Sequence, residues 1–184
     1  MYASDRVTGE PTAERHVTVD GVRLRFAAAH MATLGDELEP LHGHNYTVRC
    51  RVDGVLTADR WVIDFAVLKR VVRAACEQLD HHFLLQTRSP LLQIAQGPEG
   101  WTLRHGARRY VFPAADVAAL PIENTTAELI AQWLWEQVAA ALAAGDHHNL
   151  SRLAVDVEEM PGQAGGYARV LRRVDTLGPG RRIE

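Results

Sequence analysis

The chain has 184 residues, 47% hydrophobic and 23% charged, a balance that supports one globular domain with an embellishment and excludes a disordered or fibrous chain. Its net charge of -3, with 20 basic and 23 acidic residues mixed along the sequence, leaves no electrostatic footprint for nucleic acid. Apolar runs are too short for a membrane span, the first residues are polar, and two cysteines suit a reducing compartment, so a cytoplasmic protein without membrane or nucleic-acid partners is expected.

Residues 1–15 are polar, carry Gly9 and Pro11, and read as a flexible arm; residues 176–184 read as a tail. From His16 the pattern takes period two. Val17 and Val19, then Asp20-Gly21, then Val22, Leu24, Phe26 and Ala28 predict strands at about 16–19 and 22–30 joined as a hairpin by the Asp-Gly signal. After a loop at 31–41, His42, His44, Tyr46, Val48, Cys50 and Val52 alternate with polar residues as a third half-buried strand. Asp64 then caps a helix whose apolar face is Phe65, Leu68, Val71, Val72, Ala75 and Leu79. Residues 86–123 form an insertion rather than a second core, with a small hairpin of Trp101–Leu103 and Tyr110–Phe112 around His105-Gly106. A capping box at Thr125-Thr126-Ala127-Glu128 opens a second helix, stopped by Gly145. Strands return at Leu153–Val157 and near 166–174. Strands, two helices, then strands make the whole chain, 1–184, one α+β domain with the helices on one face of an antiparallel sheet.

Nine histidines are the compositional oddity. Alternate residues of a strand share a face, so His42 and His44 point together toward the side that Tyr46, Val48 and Cys50 make apolar. His30 follows Val22, Leu24, Phe26 and Ala28 on the inward face of its own strand. If those strands are neighbours, three imidazoles converge, the ligand count of a catalytic zinc with an open fourth position, and Gly43 leaves room for a substrate. On the strand Leu153, Val155, Val157, Glu159 a carboxylate interrupts an apolar face, and a buried carboxylate needs a partner.

His30, the segment Leu41-His42-Gly43-His44-Asn45-Tyr46, Val62-Ile63-Asp64-Phe65, Leu79-Asp80-His81, Thr126-Ala127-Glu128 and the Glu159 strand together resemble the 6-pyruvoyltetrahydropterin synthase / 6-carboxytetrahydropterin synthase family, in the family's order, over about residues 16–85 and 120–175. The resemblance implies the tunnelling fold, a four-stranded antiparallel sheet with two helices between its strand pairs, assembled as a homohexamer. It further implies zinc on His30, His42 and His44, active sites near subunit interfaces, and 7,8-dihydroneopterin triphosphate as substrate. The family's acid-base pair falls on Asp80 and His81. Its pterin-anchoring glutamate falls on Glu159, which would accept the pterin's two-donor edge, and Thr126 and Glu128 are similar to family residues near the pterin.

The family's usual cysteine ahead of the His-Gly-His segment is missing. Cys50 and Cys76 read as small buried apolar residues. Glu39, three residues before His42, resembles the branch that carries glutamate here and cleaves the substrate side chain to 6-hydroxymethyl-7,8-dihydropterin, with Glu37 as the backup. A zinc-dependent lyase of this kind is the leading expectation. 6-Pyruvoyl- or 6-carboxytetrahydropterin formation, or a non-catalytic pterin- or zinc-binding homologue, stays open. Arg88, Arg104, Arg108 and Arg109 of the insertion either meet the triphosphate or are surface residues.

Overall fold

The computed structural model describes residues 15–171. Twelve strands and two α-helices follow in chain order: β1 Arg15–Val19, β2 Arg25–His30, β3 Thr33–Leu34, β4 Glu37–Leu38, β5 His42–Gly54, α1 Phe65–Glu77, β6 His82–Gln86, β7 Gln93–Gly97, β8 Gly100–His105, β9 Arg108–Phe112, β10 Val117–Leu120, α2 Ala127–Ala143, β11 Leu150–Met160 and β12 Gln163–Val170. The expected tail, and the arm apart from Arg15 in β1, lie outside the described residues.

β5 is the spine. Its thirteen residues pair with β2 and β1 in turn and with β11, and β12 continues the sheet beyond β11. Tyr46, Val48, Cys50 and Val52 face inward and are fully buried, and so are Leu153, Val155 and Val157 of β11. α1 contributes Leu68, Val72, Ala75 and Cys76 to the same core, and α2 contributes Ile130, Leu134 and Val138. Both helices therefore cover one face of the sheet, as the two apolar periodicities require. Asp64 caps α1 as expected, accepting the Ala66 amide at 2.8 Å.

Four expectations are corrected. Asp20-Gly21 does not close a hairpin: β1 pairs with Cys50–Gly54 and β2 with His42–Thr47, so the two segments run in one direction along the same strand. Gly21, at φ 108°, turns the chain out and Leu24 brings it back, leaving Val22 76% exposed rather than inward. The loop at 31–41 contains the small β3–β4 hairpin. The sheet is mixed and seven-stranded: the four antiparallel strands β2, β5, β11 and β12 are joined by β1 and by β6 and β10, which add in parallel beyond β2. The capping box does not form, because the N-cap is Thr126 and makes no side-chain bond.

The insertion builds its hairpin from β8 and β9, with β7 as a third strand. It packs on the rest of the domain through a second apolar cluster that the two share. Leu92 and Leu103 pack with Met31, Leu38, Phe83 and Leu85, and Phe112 stacks on Phe83 with centroids 4.1 Å apart.

Gly43 is explained by the sheet rather than by a substrate. A Cβ there would lie 2.8 Å from the Ala28 carbonyl oxygen of β2, a backbone atom that cannot give way. Gly43→Ala is therefore expected to force β2 from β5 and to destabilise by about 1–3 kcal/mol. An unchanged urea midpoint would remove the close approach as the reason for glycine.

Candidate metal and ligand site

The β2–β5 register puts His30 directly opposite His42, with His44 opposite Ala28. Their ring centroids lie 4.5, 5.0 and 5.3 Å apart, and one nitrogen from each ring falls within 4.8 Å of the others. The three imidazoles can hold a metal ion.

Their hydrogen bonds fit that use. His30 Nδ1 lies 3.0 Å from the Thr125 carbonyl and His42 Nδ1 lies 2.8 Å from the Pro40 carbonyl, so each Nδ1 carries the proton and donates it. Both Nε2 atoms are then lone-pair donors, and they face each other at 3.1 Å. Two lone pairs aimed at one point suit a cation between them, and the carbonyls fix the tautomers. Burial, with His42 next, pulls His30 down to about 4, so it stays neutral and ready to ligate at ordinary pH.

Beyond Glu158 opposite Thr47, β11 no longer pairs with β5. A pocket opens beside His42 and His44, walled by the N-terminus of α2 and lined by Glu39, Thr126, Glu128 and Glu159 with the imidazoles. Glu159 sits at a bulge where the β11–β12 register shifts, which aims its carboxylate into the pocket. Burial pushes its pKa up, with His44 pulling the other way. Glu39 places Oε2 3.9 Å from His42 Nε2. Glu37 is exposed on β4 and does not line the pocket.

Asp80 and His81 form a built pair, but elsewhere. Asp80 Oδ1 accepts the Ala27 amide at 2.8 Å and Oδ2 lies 3.0 Å from His81 Nδ1. The Ala27 amide, helped by His81, holds the Asp80 carboxyl below its ordinary range. His81 has φ 61°, an uncommon left-handed conformation, and its side chain is 83% exposed. The pair lines a cleft with Arg25 and Asn45, His81 alone lines a second one with His44 and Asp116, and the pocket that holds Glu39 and Glu159 contains neither Asp80 nor His81.

Two polar groups escaped the sequence reading. Thr125 lines the pocket with a buried hydroxyl lacking a hydrogen-bond partner, and Tyr46, 5.4 Å from His44 by ring centroids, has a buried, unpartnered hydroxyl of its own. Orphaned buried hydroxyls beside a pocket are the signal. The four insertion arginines do not line the pocket.

The family model described as 6-pyruvoyl tetrahydropterin synthase matches residues 21–169. The chain belongs to this family. It is 29% identical over 149 residues, 80% of this chain and 91% of the relative, to a Methanocaldococcus jannaschii protein provisionally named 6-carboxy-5,6,7,8-tetrahydropterin synthase. It is 39% identical over 62 residues, 34% of this chain and 53% of the relative, to a dihydroneopterin monophosphate aldolase from Pyrococcus furiosus. Among solved structures, the Plasmodium vivax 6-pyruvoyl tetrahydropterin synthase superimposes with a TM-score of 0.82 at 30% identity, over 86% of this chain and 99% of its own. A variant of that Plasmodium protein in which a catalytic glutamate is replaced by alanine gives a TM-score of 0.81 at 30% identity, over the same shares. The α+β fold is thus the family's tunnelling fold.

His42→Ala is expected to lose most bound metal by elemental analysis, since two protein ligands rarely retain it. Full occupancy would break the triad. For the metal-free protein, an unfolded histidine titrates at 6.5 and folded His30 at about 4, so the unfolded state binds more protons in that window. Stability is then full above about pH 6.5 and declines as pH falls toward 4. A urea midpoint as steep in pH for His30→Gln as for the native chain would show that His30 is not the cause.

Proposed function

We propose that this chain is a zinc-dependent pterin lyase that cleaves the side chain of 7,8-dihydroneopterin triphosphate to give 6-hydroxymethyl-7,8-dihydropterin. The observation that carries this reading is the Glu39 carboxylate, 3.9 Å from His42 Nε2, in a segment without cysteine. Cys50 and Cys76 are buried with thiols pushed up to about 12, so neither supplies a thiolate at neutral pH. The name of the Pyrococcus relative, an aldolase of the corresponding monophosphate, supports side-chain cleavage, and the catalytic glutamate of the Plasmodium 6-pyruvoyltetrahydropterin synthase supports a carboxylate in the role of base.

Zinc on His30, His42 and His44 would act as a Lewis acid toward the side-chain hydroxyls of the substrate. Glu159 accepts the 2-amino and N3 hydrogens of the pterin, two charge-assisted bonds that repay its desolvation. Thr126 and Glu128, on the same pocket wall, contact the pterin. Glu39 takes the proton of the C2′ hydroxyl while C1′–C2′ breaks. The bond's electron pair moves into the C6=N5 imine, an aldehyde leaves with the triphosphate, and a proton returned to the pterin completes the product. His81, oriented by Asp80, supplies that proton. Because the pair does not line the pocket that holds Glu39 and Glu159 in its own chain, it acts from a neighbouring subunit of a homohexamer.

Formation of 6-carboxytetrahydropterin, the activity in the name of the Methanocaldococcus relative, is the second reading. Incubating the zinc-loaded protein with 7,8-dihydroneopterin triphosphate and identifying products by mass separates the two, and absence of turnover would leave a binding homologue. Glu39→Gln is expected to keep zinc and pterin while losing on the order of a hundredfold in turnover; wild-type rates would move the base elsewhere. Glu159→Gln should weaken pterin binding by roughly 2 kcal/mol in calorimetry. Mixing inactive His42→Ala and His81→Ala subunits should restore activity, and a mixture as dead as its parents would refute the shared site.

A further inference from the structure

Glu39 is not held by the main sheet. It follows a two-stranded hairpin, β3 and β4, that forms a separate small sheet, and a lone hairpin of this size is marginal in water. What fixes the segment comes from far along the chain. Arg108 of β9 donates from Nη2 to the Leu38 carbonyl at 2.5 Å and from Nη1 to the Glu39 carbonyl at 3.4 Å. His105 of β8 lies with Nε2 3.0 Å from the Asp36 carbonyl. Leu38 belongs to the same apolar cluster as Leu103 of the insertion.

The Leu38 carbonyl belongs to the peptide plane before the Glu39 Cα, and the Glu39 carbonyl to the plane after it. One guanidinium therefore grips both planes that set the φ and ψ of Glu39. The first plane is held from its other side as well, because the Glu39 amide donates to the Ala32 carbonyl at 2.9 Å. Pro40 restricts Glu39 to extended conformations. With its backbone so constrained, the carboxylate can leave His42 only by rotating about its own side-chain bonds.

We infer that the inserted β7–β9 sheet is a clamp for the base, with Arg108 as the positioning residue that holds Glu39 over the imidazoles. This rests on the reading of Glu39 as the base, and it gives the insertion a task other than meeting the triphosphate. Only a rigid fork with several donors spans two successive carbonyls, so lysine is an incomplete substitute.

The test compares Arg108→Ala, Arg108→Lys, Glu39→Gln and Arg108→Ala/Glu39→Gln in the full chain. In the metal-free protein, amide hydrogen exchange at residues 36–39 should quicken at least about tenfold in Arg108→Ala, while β5 and the helices keep their protection. In the zinc-loaded protein with 7,8-dihydroneopterin triphosphate, kcat should fall about 10- to 100-fold with KM and zinc content unchanged, the scale expected of a misplaced catalytic group. Arg108→Lys should recover part of the loss. In the Glu39→Gln background Arg108→Ala should cost nothing further, because both changes remove one function. Unaltered exchange at 36–39 in Arg108→Ala and Arg108→Lys, or an equal fall in kcat with and without Glu39, would overturn the clamp. Wild-type turnover by Glu39→Gln would instead overturn the base, while hydrogen exchange still decides whether Arg108 holds the segment.

Discussion

The pairing register of β2 with β5 is the constraint on which the rest depends. A strand alternates its faces with period two, so a slip of one residue would send His30 to the outer face and bring Phe26 and Ala28 with it. The register is held from both ends of the pattern. Phe26 stacks on Tyr46 with centroids 4.6 Å apart in the core, and at Gly43 the backbones approach so closely that no side chain fits between. The imidazoles are the continuation of the core's own inward rows, carried past the point where apolar residues stop. Core and site are consequently one feature of the same two strands, and a change that loosens one loosens the other.

The pocket's electrostatics follow from where β11 lets go of β5. The opening places Glu159, Glu39 and three imidazoles in a space that the sheet and α2 partly shield from water. Burial acts in opposite directions on a base and an acid, lowering His30 and raising Glu159, and both shifts favour the uncharged form. A ligand with hydrogen-bond donors on one edge matches the carboxylate, and neutral nitrogens with tautomers set by the carbonyls of Thr125 and Pro40 match a cation. The unpartnered hydroxyl of Thr125 lies in the same pocket, so its wall offers neutral polar groups as well as charged ones.

The strict periodicities were readable from the residues alone. The alternation through β5, most of the apolar stripes of α1 and α2, and the shared face of His42 and His44 are local in sequence and survive folding, whereas Phe65, read onto the apolar face of α1, is 56% exposed and His30 joins the other two imidazoles only through the β2–β5 register. What misled were local signals whose outcome depends on a distant partner. Asp20-Gly21 is a hairpin signal only if its flanking strands prefer each other, and here both found room along the thirteen residues of β5. The capping box had the right spacing one residue early, because Thr125 is buried with its carbonyl on His30 and leaves the cap to Thr126. No pattern in Val117–Leu120 announces a parallel strand, since parallel pairing with β6 requires the whole insertion to return the chain to the sheet. The Asp80–His81 pair was legible as a pair, whereas its face was not, because that depends on how the chain enters β6.

The three imidazoles and Glu39 are held by different kinds of constraint. The imidazoles sit in a hydrogen-bonded ladder of regular strands, where position follows from register and tolerates change on the outer face. Glu39 sits three residues before His42, and even so its backbone answers to Arg108, 69 residues away in sequence. A ladder cannot move one residue without moving its neighbours, but a tethered segment can change its reactive side chain or its reach while the ladder stays intact. The three-imidazole frame is thus placed by the sheet, and the carboxylate beside it by the segment and by Arg108.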